Sequence, residues 1–86
     1  MKISSRGSPD FWRCYRALPA GVRSLAQKNY ALWSEDSAHP SLRFKRIRKP
    51  WWSVRIGDHY RAVGAFAGDA FLWEWIGTHE EFNHRY

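Results

Sequence analysis

The hydrophobic residues of this 86-residue chain change their spacing near residue 42, and this change constrains the fold more than any other feature. Before it, apolar residues recur every three or four positions, as on one face of a helix. After it, they alternate with polar residues, as in strands with one covered face. A chain of this length supports a single hydrophobic core. We therefore predict one α+β domain over residues 1–86, with the helices first and the sheet second.

Two helices are predicted in the first part. The sequence Ser8-Pro9-Asp10 is typical of a helix start, because it offers an N-cap hydroxyl, a proline at the first helical position and an acid at the positive end of the helix dipole. A second apolar stripe predicts a helix over residues 20–35. The short connection between them indicates a helical hairpin. Residues 1–8 are predicted to form a flexible arm or a short edge strand.

The second part predicts an antiparallel sheet of about four strands. Alternation begins at Leu42, and turn residues separate the later strands at residues 57–59 and 67–69. Thr78 or His79 is expected to cap a short last helix. The helical hairpin should pack on one face of this sheet.

Positive charge is concentrated in the middle of the chain. Residues 37–68 carry seven Lys or Arg and one Asp, a net charge of +6. Five of these cations fall within seven residues: Arg43, Lys45, Arg46, Arg48 and Lys49. Such a cluster indicates an edge that contacts nucleic-acid phosphates, and the alternative is a solvated strand whose charges only keep it exposed. A polyanionic partner, most simply RNA, is favoured over a merely charged surface.

Further residues could add chemistry to this basic region. Arg55 and Arg61 alternate with apolar neighbours on adjacent strands, so both should project from the face away from the helices. His79 lies at the junction of the last strand and helix, where it is either a general acid or base or an ordinary surface histidine. Glu74 is expected to pair with Arg61, or else to act as a base.

Four tryptophans could also contact nucleic acid by stacking on bases, and for any single one of them the core is the favoured place. They are Trp51, Trp52, Trp73 and Trp75.

Several classes of protein are excluded by the sequence. The single cysteine, Cys14, excludes an internal disulfide and indicates a reducing compartment. Residues 1–7 lack the apolar segment of a secretory signal, and no apolar run could span a membrane, so a cytoplasmic protein without a membrane partner is expected. His79 and His84 are five positions apart, whereas a zinc-binding HExxH motif needs four. We predict neither a metal nor a cofactor.

Four segments of the chain together resemble the RelE/ParE superfamily of bacterial type II toxins. They are residues 11–19, 41–45, 53–62, which contains VRIG..YRA, and 75–82, which contains WIG.HEE. The resemblance extends over residues 9–86 and implies a helical hairpin packed on an antiparallel sheet, in agreement with the hydrophobic spacing.

The resemblance implies one of two activities, each held in check by a cognate antitoxin protein. RelE-like members cleave mRNA on the ribosome, whereas ParE-like members inhibit DNA gyrase without being enzymes. A nucleic-acid-binding domain without toxicity is a third possibility. Lys45, Arg55 and Arg61 match positions that are often basic in the ribonucleases, and His79 matches a position held by Arg or His. Phe82 stands where many relatives carry a tyrosine, so this chain lacks a proton donor there. On this basis we predict catalytic roles for Arg55, Arg61 and His79.

Overall fold

The computed structural model describes residues 3–86, so Met1 and Lys2 of the predicted arm lie outside the described residues. The helices and strands follow one another along the chain as β1 (Ser5–Gly7), α1 (Pro9–Arg16), α2 (Ala20–Glu35), a 3-10 turn (Pro40–Leu42), β2 (Lys45–Arg48), β3 (Trp51–Ile56), β4 (Tyr60–Ala67), β5 (Ala70–Thr78) and α3 (His79–Arg85). The predicted α+β class, with a helical hairpin before the sheet and a short helix after it, is confirmed.

Within residues 3–86, the sheet has five strands in the order β1-β5-β4-β3-β2. Strands β2 to β5 pair antiparallel with their neighbours, as predicted. Strand β1 adds a fifth, parallel strand at the edge, where Ser5 lies opposite Phe71 and Gly7 opposite Trp73. The alternative of a short edge strand is therefore the correct one for residues 5–7, and the predicted count of about four strands was one too low. Two short strands, β1 and β2, form the edges of the sheet.

The helical hairpin begins and ends where the sequence predicts. The Ser8 hydroxyl oxygen accepts a hydrogen bond of 3.1 Å from the backbone N–H of Phe11, so Ser8 is the N-cap of α1. Helix α2 spans the predicted residues. The side-chain amide of Asn29 in α2 donates a 3.2 Å hydrogen bond to the carbonyl of Arg55 in β3. This bond attaches the second helix to the strand that carries a predicted site residue.

Strand β2 begins three residues later than the alternating pattern predicts. Residues 40–42 form a 3-10 turn, and the ring Nδ1 of His39 accepts a 3.2 Å hydrogen bond from the N–H of Ser41. Leu42 is fully buried because this turn inserts it into the core, so its burial does not require a strand. Arg43 then adopts left-handed backbone angles, with φ 47°. The 3-10 turn thus gives the same alternation of apolar and polar residues in the sequence as a strand does.

Trp33 of α2 lies at the centre of the core between the hairpin and the sheet, with 1% of its surface exposed. Its ring contacts the rings of Phe44, Phe71 and Trp73 at centroid distances of 5.7, 5.3 and 5.0 Å. Aromatic pairs at these distances add to the stabilisation from buried area. Trp33 therefore joins the hairpin to β5 and to the segment that leads into β2.

The other face of the sheet is covered only in part. Val63 and Trp75 are buried there, although both lie outside the core around Trp33. The Tyr86 ring packs against Trp51 and Trp75, with centroids 5.8 Å from each, and the Arg85 guanidinium lies 5.3 Å from the Trp75 ring. Helix α3 has no buried residue of its own. The short helix thus covers one part of this face and leaves the rest open.

Trp33→Ala should lower the free energy of unfolding by about 3–5 kcal/mol, because a large cavity would open among the aromatic rings. Urea unfolding followed by circular dichroism measures this loss. Trp12→Ala is the matched control, since 44% of the Trp12 surface is already exposed, and its loss should be clearly smaller. Equal losses in the two variants would contradict the central position assigned to Trp33.

Candidate functional site

A cationic cleft of about 250 Å³ lies on the open part of the sheet, beside α3. Four cations, one imidazole and three other side chains line it: Arg43, Lys45, Ser53, Arg55, Arg61, His79, Phe82 and Asn83. No carboxylate belongs to this lining in the described part of the chain. We refer to these eight residues as the cationic cleft. Its charge and its shape are those of a site for an anion.

Arg55 and Arg61 form the centre of the cleft. They lie directly opposite each other on β3 and β4, where two like charges repel. Both side chains donate hydrogen bonds to the carbonyl oxygen of Gly57, Arg55 through Nε at 3.1 Å and Arg61 through Nη1 at 3.4 Å. Arg61 also donates to its neighbour's carbonyl, that of Tyr60, at 2.8 Å. Both guanidinium groups are therefore attached to the turn between β3 and β4.

One acidic side chain approaches this pair from the same turn. Asp58 accepts a hydrogen bond from Arg55, and the two form an ion pair in which the Asp58 side chain is largely exposed. This hydrogen bond and the Arg55 charge lower the pKa of the Asp58 carboxyl. Partial burial lowers the pKa of Arg61, and the charges of Arg55 and Arg43 lower it further. Three guanidinium groups thus share one electrostatic environment with a single exposed carboxylate beside them.

Arg43 reaches the cleft from an unusual backbone conformation. Its φ of 47° is uncommon for a residue with a side chain, and among residues 3–86 it is the only non-glycine residue with a positive φ. Strain of this kind concentrates at functional sites. Lys45 follows on β2, opposite Ser53, and faces the same side of the sheet. The strained turn therefore places a third guanidinium group over the cleft.

His79 is positioned by its backbone as the first residue of α3. Its N–H donates a 2.7 Å hydrogen bond to the carbonyl of His59 in the β3–β4 turn. Thr78 and Glu81 form a capping box on either side of it. The Glu81 carboxylate accepts hydrogen bonds from the Thr78 N–H at 2.9 Å and from the Thr78 hydroxyl group at 3.0 Å, and both bonds lower the pKa of Glu81. The Phe82 ring lies 6.2 Å from the His79 ring. The backbone of His79 is thus fixed at the rim of the cleft, where its imidazole joins the lining.

The structure brings together five of the eight predicted site residues. Arg43, Lys45, Arg55, Arg61 and His79 all line the cleft, whereas Arg46, Arg48 and Lys49 lie outside its lining. Sequence reasoning missed Ser53 and Asn83. The strand alternation could have revealed Ser53, which faces away from Trp52 and Val54, and the helical spacing of four from His79 could have revealed Asn83.

The predicted ion pair between Glu74 and Arg61 is wrong. Glu74 lies at a bulge of β5, between Trp73, which faces Gly64, and Trp75, which faces Val63. Arg61 pairs with Gly77 further along the strand, and its guanidinium group is bonded to carbonyl oxygens. The bulge changes the register, and alternation in the sequence of one strand cannot reveal it.

Within residues 3–86, His, Cys, Asp and Glu side chains form no group of three or more that could hold a metal ion. Over the same residues, every helix is too short or too polar to cross a membrane.

Comparison with known proteins identifies a sequence family and a shared fold. The sequence model of the ParE-like toxin domain matches residues 20–84. The fold is similar to the RelB–RelE antitoxin–toxin complex of Methanococcus jannaschii, with 13% identity and a TM-score of 0.73 over 93% of this chain and 96% of that chain. No curated protein sequence matches the chain.

Two structures from E. coli are similar as well. A doubly substituted RelE toxin in its free state is 15% identical, with a TM-score of 0.73 over 96% of this chain and 90% of that chain. The DinJ–YafQ toxin–antitoxin complex is 10% identical, with a TM-score of 0.71 over 94% of this chain and 97% of that chain. At these identities the similarity concerns the fold, and it confirms the predicted RelE-like architecture.

Gly57→Ala should disturb the cleft more than Gly68→Ala. Both glycines have a positive φ, of 62° and 64°, so alanine costs about 1 kcal/mol or more at either position. A methyl group at Gly57 would also lie 2.8 Å from Leu25 of α2, whereas nothing lies within 4 Å at Gly68. We expect chemical-shift changes at Arg55, Arg61 and His79 in Gly57→Ala alone. Equal changes in both variants would show that the turn does not hold these residues.

Arg55→Gln should raise the pKa of Asp58, because the hydrogen bond from Arg55 is the main cause of its lowering. In the wild type this carboxyl should titrate below its ordinary value of 3.8. The ion pair is therefore present at neutral pH and breaks as the pH falls through the lowered pKa. Carboxyl carbon NMR measures both values. Arg61→Gln is the control with a smaller expected effect, and an unchanged Asp58 pKa in Arg55→Gln would contradict the ion pair.

Proposed function

The chain belongs to the family of ParE-like toxin domains, and we propose that it is the toxin of a type II toxin–antitoxin system that cleaves mRNA on the ribosome. The observation that carries this proposal is the cationic cleft, in which four cations and one imidazole meet without a carboxylate in the lining. A cleft of this composition suits a reaction at phosphorus, where negative charge grows as the bond breaks.

RNA cleavage needs cations that stabilise the charge on the phosphate, a group that takes the proton of the 2′-hydroxyl group, and a group that gives a proton to the 5′-oxygen. The cleft offers residues for the first function and for one of the two proton transfers. In this reaction the 2′-oxygen attacks the adjacent phosphorus and the 5′-oxygen leaves. Arg55 and Arg61 suit the stabilisation of the phosphate oxygens, since planar guanidinium groups bind them in a bidentate fashion. Their repulsion across the strand pair is relieved when a phosphate lies between them. Arg43 and Lys45 would hold neighbouring phosphates.

His79 is the residue of the cleft suited to moving the proton. Imidazole can take a proton from the 2′-hydroxyl group or give one to the leaving 5′-oxygen near neutral pH. Phe82 lies beside it and carries no proton to donate, so among the described lining residues the third function has no second imidazole, no carboxyl group and no phenol. A cleft with one such group gains most from a substrate that is already held in a reactive geometry. This supports mRNA positioned by the ribosome over free RNA.

A cognate antitoxin is part of the proposal. Two of the similar structures are complexes with an antitoxin, RelB–RelE of M. jannaschii and DinJ–YafQ of E. coli. The present chain offers two surfaces for such a partner. Acidic residues could neutralise Arg55 and Arg61 in the cleft, and a helix could enter an apolar cavity of about 370 Å³ beside the hairpin, which is lined in part by Phe11, Trp12 and Tyr30.

A second function, inhibition of DNA gyrase without catalysis, is favoured by two observations. The matching family model is that of the ParE-like toxin domain, and Phe82 removes a proton donor from the cleft. In that case the cations would contact gyrase or its DNA, and His79 would have no chemical role.

Arg61→Ala should abolish mRNA cleavage and leave the fold intact. Removal of a cation that stabilises the transition state costs about 10²–10³ in rate. Removal of a side chain from an open sheet face changes stability by only about 0.5 kcal/mol or less. Cleavage of ribosome-bound mRNA and the melting temperature are measured together. Arg16→Ala, on the exposed face of α1, is the matched control with full activity expected.

His79→Ala should also slow cleavage, though by a smaller factor if water replaces the imidazole. Arg61→Lys tests the geometry, because it keeps the charge and loses the bidentate contact. Full cleavage by well-folded Arg61→Ala would overturn the ribonuclease proposal. Loss of DNA supercoiling by gyrase in the presence of that variant would instead establish the second function.

A further inference from the structure

Two features of the sequence have no place in the cationic cleft: Arg46 of the basic segment and Trp52 of the candidate stacking residues. The register of β2 and β3 sets them directly opposite each other. Because Lys45 and Ser53 face the cleft, the alternation of the strands turns Arg46 and Trp52 to the other face of the sheet. An arginine and a tryptophan thus lie side by side, on the face away from the cleft.

Trp52 belongs to a group of three aromatic residues at the end of the sheet. Its ring is stacked on Phe44, with centroids 4.8 Å apart and an angle of 28° between the planes. Phe66 meets the Trp52 ring edge to face, with centroids 5.4 Å apart. Phe66 is 40% exposed, and Phe44 and Trp52 are half-buried. We refer to Phe44, Trp52 and Phe66 as the aromatic ledge.

The ledge and its surroundings have the composition of a surface for single-stranded RNA. An exposed aromatic ring accepts a base by stacking, and a neighbouring cation binds the phosphate attached to it. The segment from Arg43 to Lys49, which contains Phe44, carries five cations, and Arg46 lies directly opposite Trp52 of the ledge. A partner with a cationic surface would be repelled here, and a second copy of this chain would bring the same charges.

We propose that the aromatic ledge stacks an unpaired base of the same RNA strand whose phosphate occupies the cationic cleft. This inference rests on the proposed function, since it takes the strand in the cleft to be RNA. Strand β2 is at the edge of the sheet, so no further strand separates its two faces. Lys45 points to the cleft and Arg46 to the ledge, one residue apart. An RNA backbone that passes over this edge meets a cation on each side of it.

The ledge therefore extends recognition beyond the cleaved bond. The cleft binds phosphates, which are the same in every nucleotide, whereas the ledge binds a base. Stacking tolerates every base because each has an aromatic face, so the ledge contributes affinity and position more than sequence preference.

Binding of labelled RNA by a protein that does not cleave tests the inference. All variants are made in an Arg61→Ala background, and fluorescence anisotropy is measured with two single-stranded RNAs of equal length. One RNA carries its bases, and the other has abasic sites throughout, so that their phosphate charge is the same. Phe66→Leu should weaken binding of the base-bearing RNA about fivefold and leave binding of the abasic RNA unchanged.

Arg46→Gln should weaken binding of both RNAs and lower the salt dependence by about one unit, as expected for one phosphate contact. Trp12→Leu and Arg16→Gln are the matched controls, since both residues are exposed and lie on α1, away from the ledge. Melting temperatures show that the variants remain folded. Equal binding of base-bearing RNA by Phe66→Leu and by Trp12→Leu would overturn the inference.

The two proposals fail in different ways. If the wild type does not cleave mRNA while Phe66→Leu still distinguishes the two RNAs, the ribonuclease proposal fails and the ledge remains a base-binding surface. If cleavage occurs and Phe66→Leu has no effect on binding, the ledge inference alone fails. Sedimentation equilibrium tests whether a second copy of this chain, instead of RNA, occupies the ledge. A dimer of the wild type that Phe66→Leu dissociates, with RNA binding unchanged, would assign the ledge to self-association and overturn the inference.

Discussion

The cleft depends on one short turn between β3 and β4. The carbonyl of Gly57 accepts hydrogen bonds from Arg55 and Arg61, and the carbonyl of His59 accepts one from the backbone of His79. The turn thus fixes two guanidinium groups and the start of the last helix. Leu25 packs close to Gly57, so the helical hairpin on the opposite face determines where the turn can lie. In this way the core, whose own function is stability, sets the geometry of the site.

Concentrating cations in this way has an energetic cost that the rest of the molecule offsets. Arg55 and Arg61 repel each other across the strand pair, and partial burial adds to the cost for Arg61. Among residues 3–86, the exposed Asp58 is the one acid that forms an ion pair with this pair of arginines. Stability comes instead from two aromatic groups outside the cleft. They are the core around Trp33 and, on the other face of the sheet, the contact of Tyr86 with Trp75. A site of this kind is electrostatically poised for an anionic ligand before any ligand arrives.

Most of the fold could be predicted from the sequence because its local signals agree with one another. The N-cap at Ser8, the bounds of α2 and the turn after Ile56 each follow from a few neighbouring residues. The predictions are wrong where the structure depends on a contact between distant residues, on a change of register or on local backbone geometry. The parallel pairing of β1 with β5, the 3-10 turn before Arg43 and the bulge at Glu74 depend on residues far along the chain or on backbone geometry.

For the site, too, local signals in the sequence were predictive, whereas contacts between strands were not. Alternation was enough to place Arg55 and Arg61 on one face and to turn Arg46 away from Lys45, but it could not show that Arg46 lies beside Trp52 until the register with β3 was known. The resemblance to a toxin superfamily singled out His79, and the structure adds the hydrogen bond to His59 that holds it there. The roles of these residues in catalysis remain predictions.

The pairing of β1 with β5 also bears on how the protein is made. Residues 5–7 find their strand partner only at residues 71–73, and the cleft takes residues from both sides of that point, from Arg43 to Asn83. Contacts this far apart in sequence form late, because a long loop must close first. A nascent chain that has emerged only through β4 therefore lacks both the pairing of β1 with β5 and the imidazole of His79. With this topology the cationic cleft is incomplete until residues 79–83 have been synthesised.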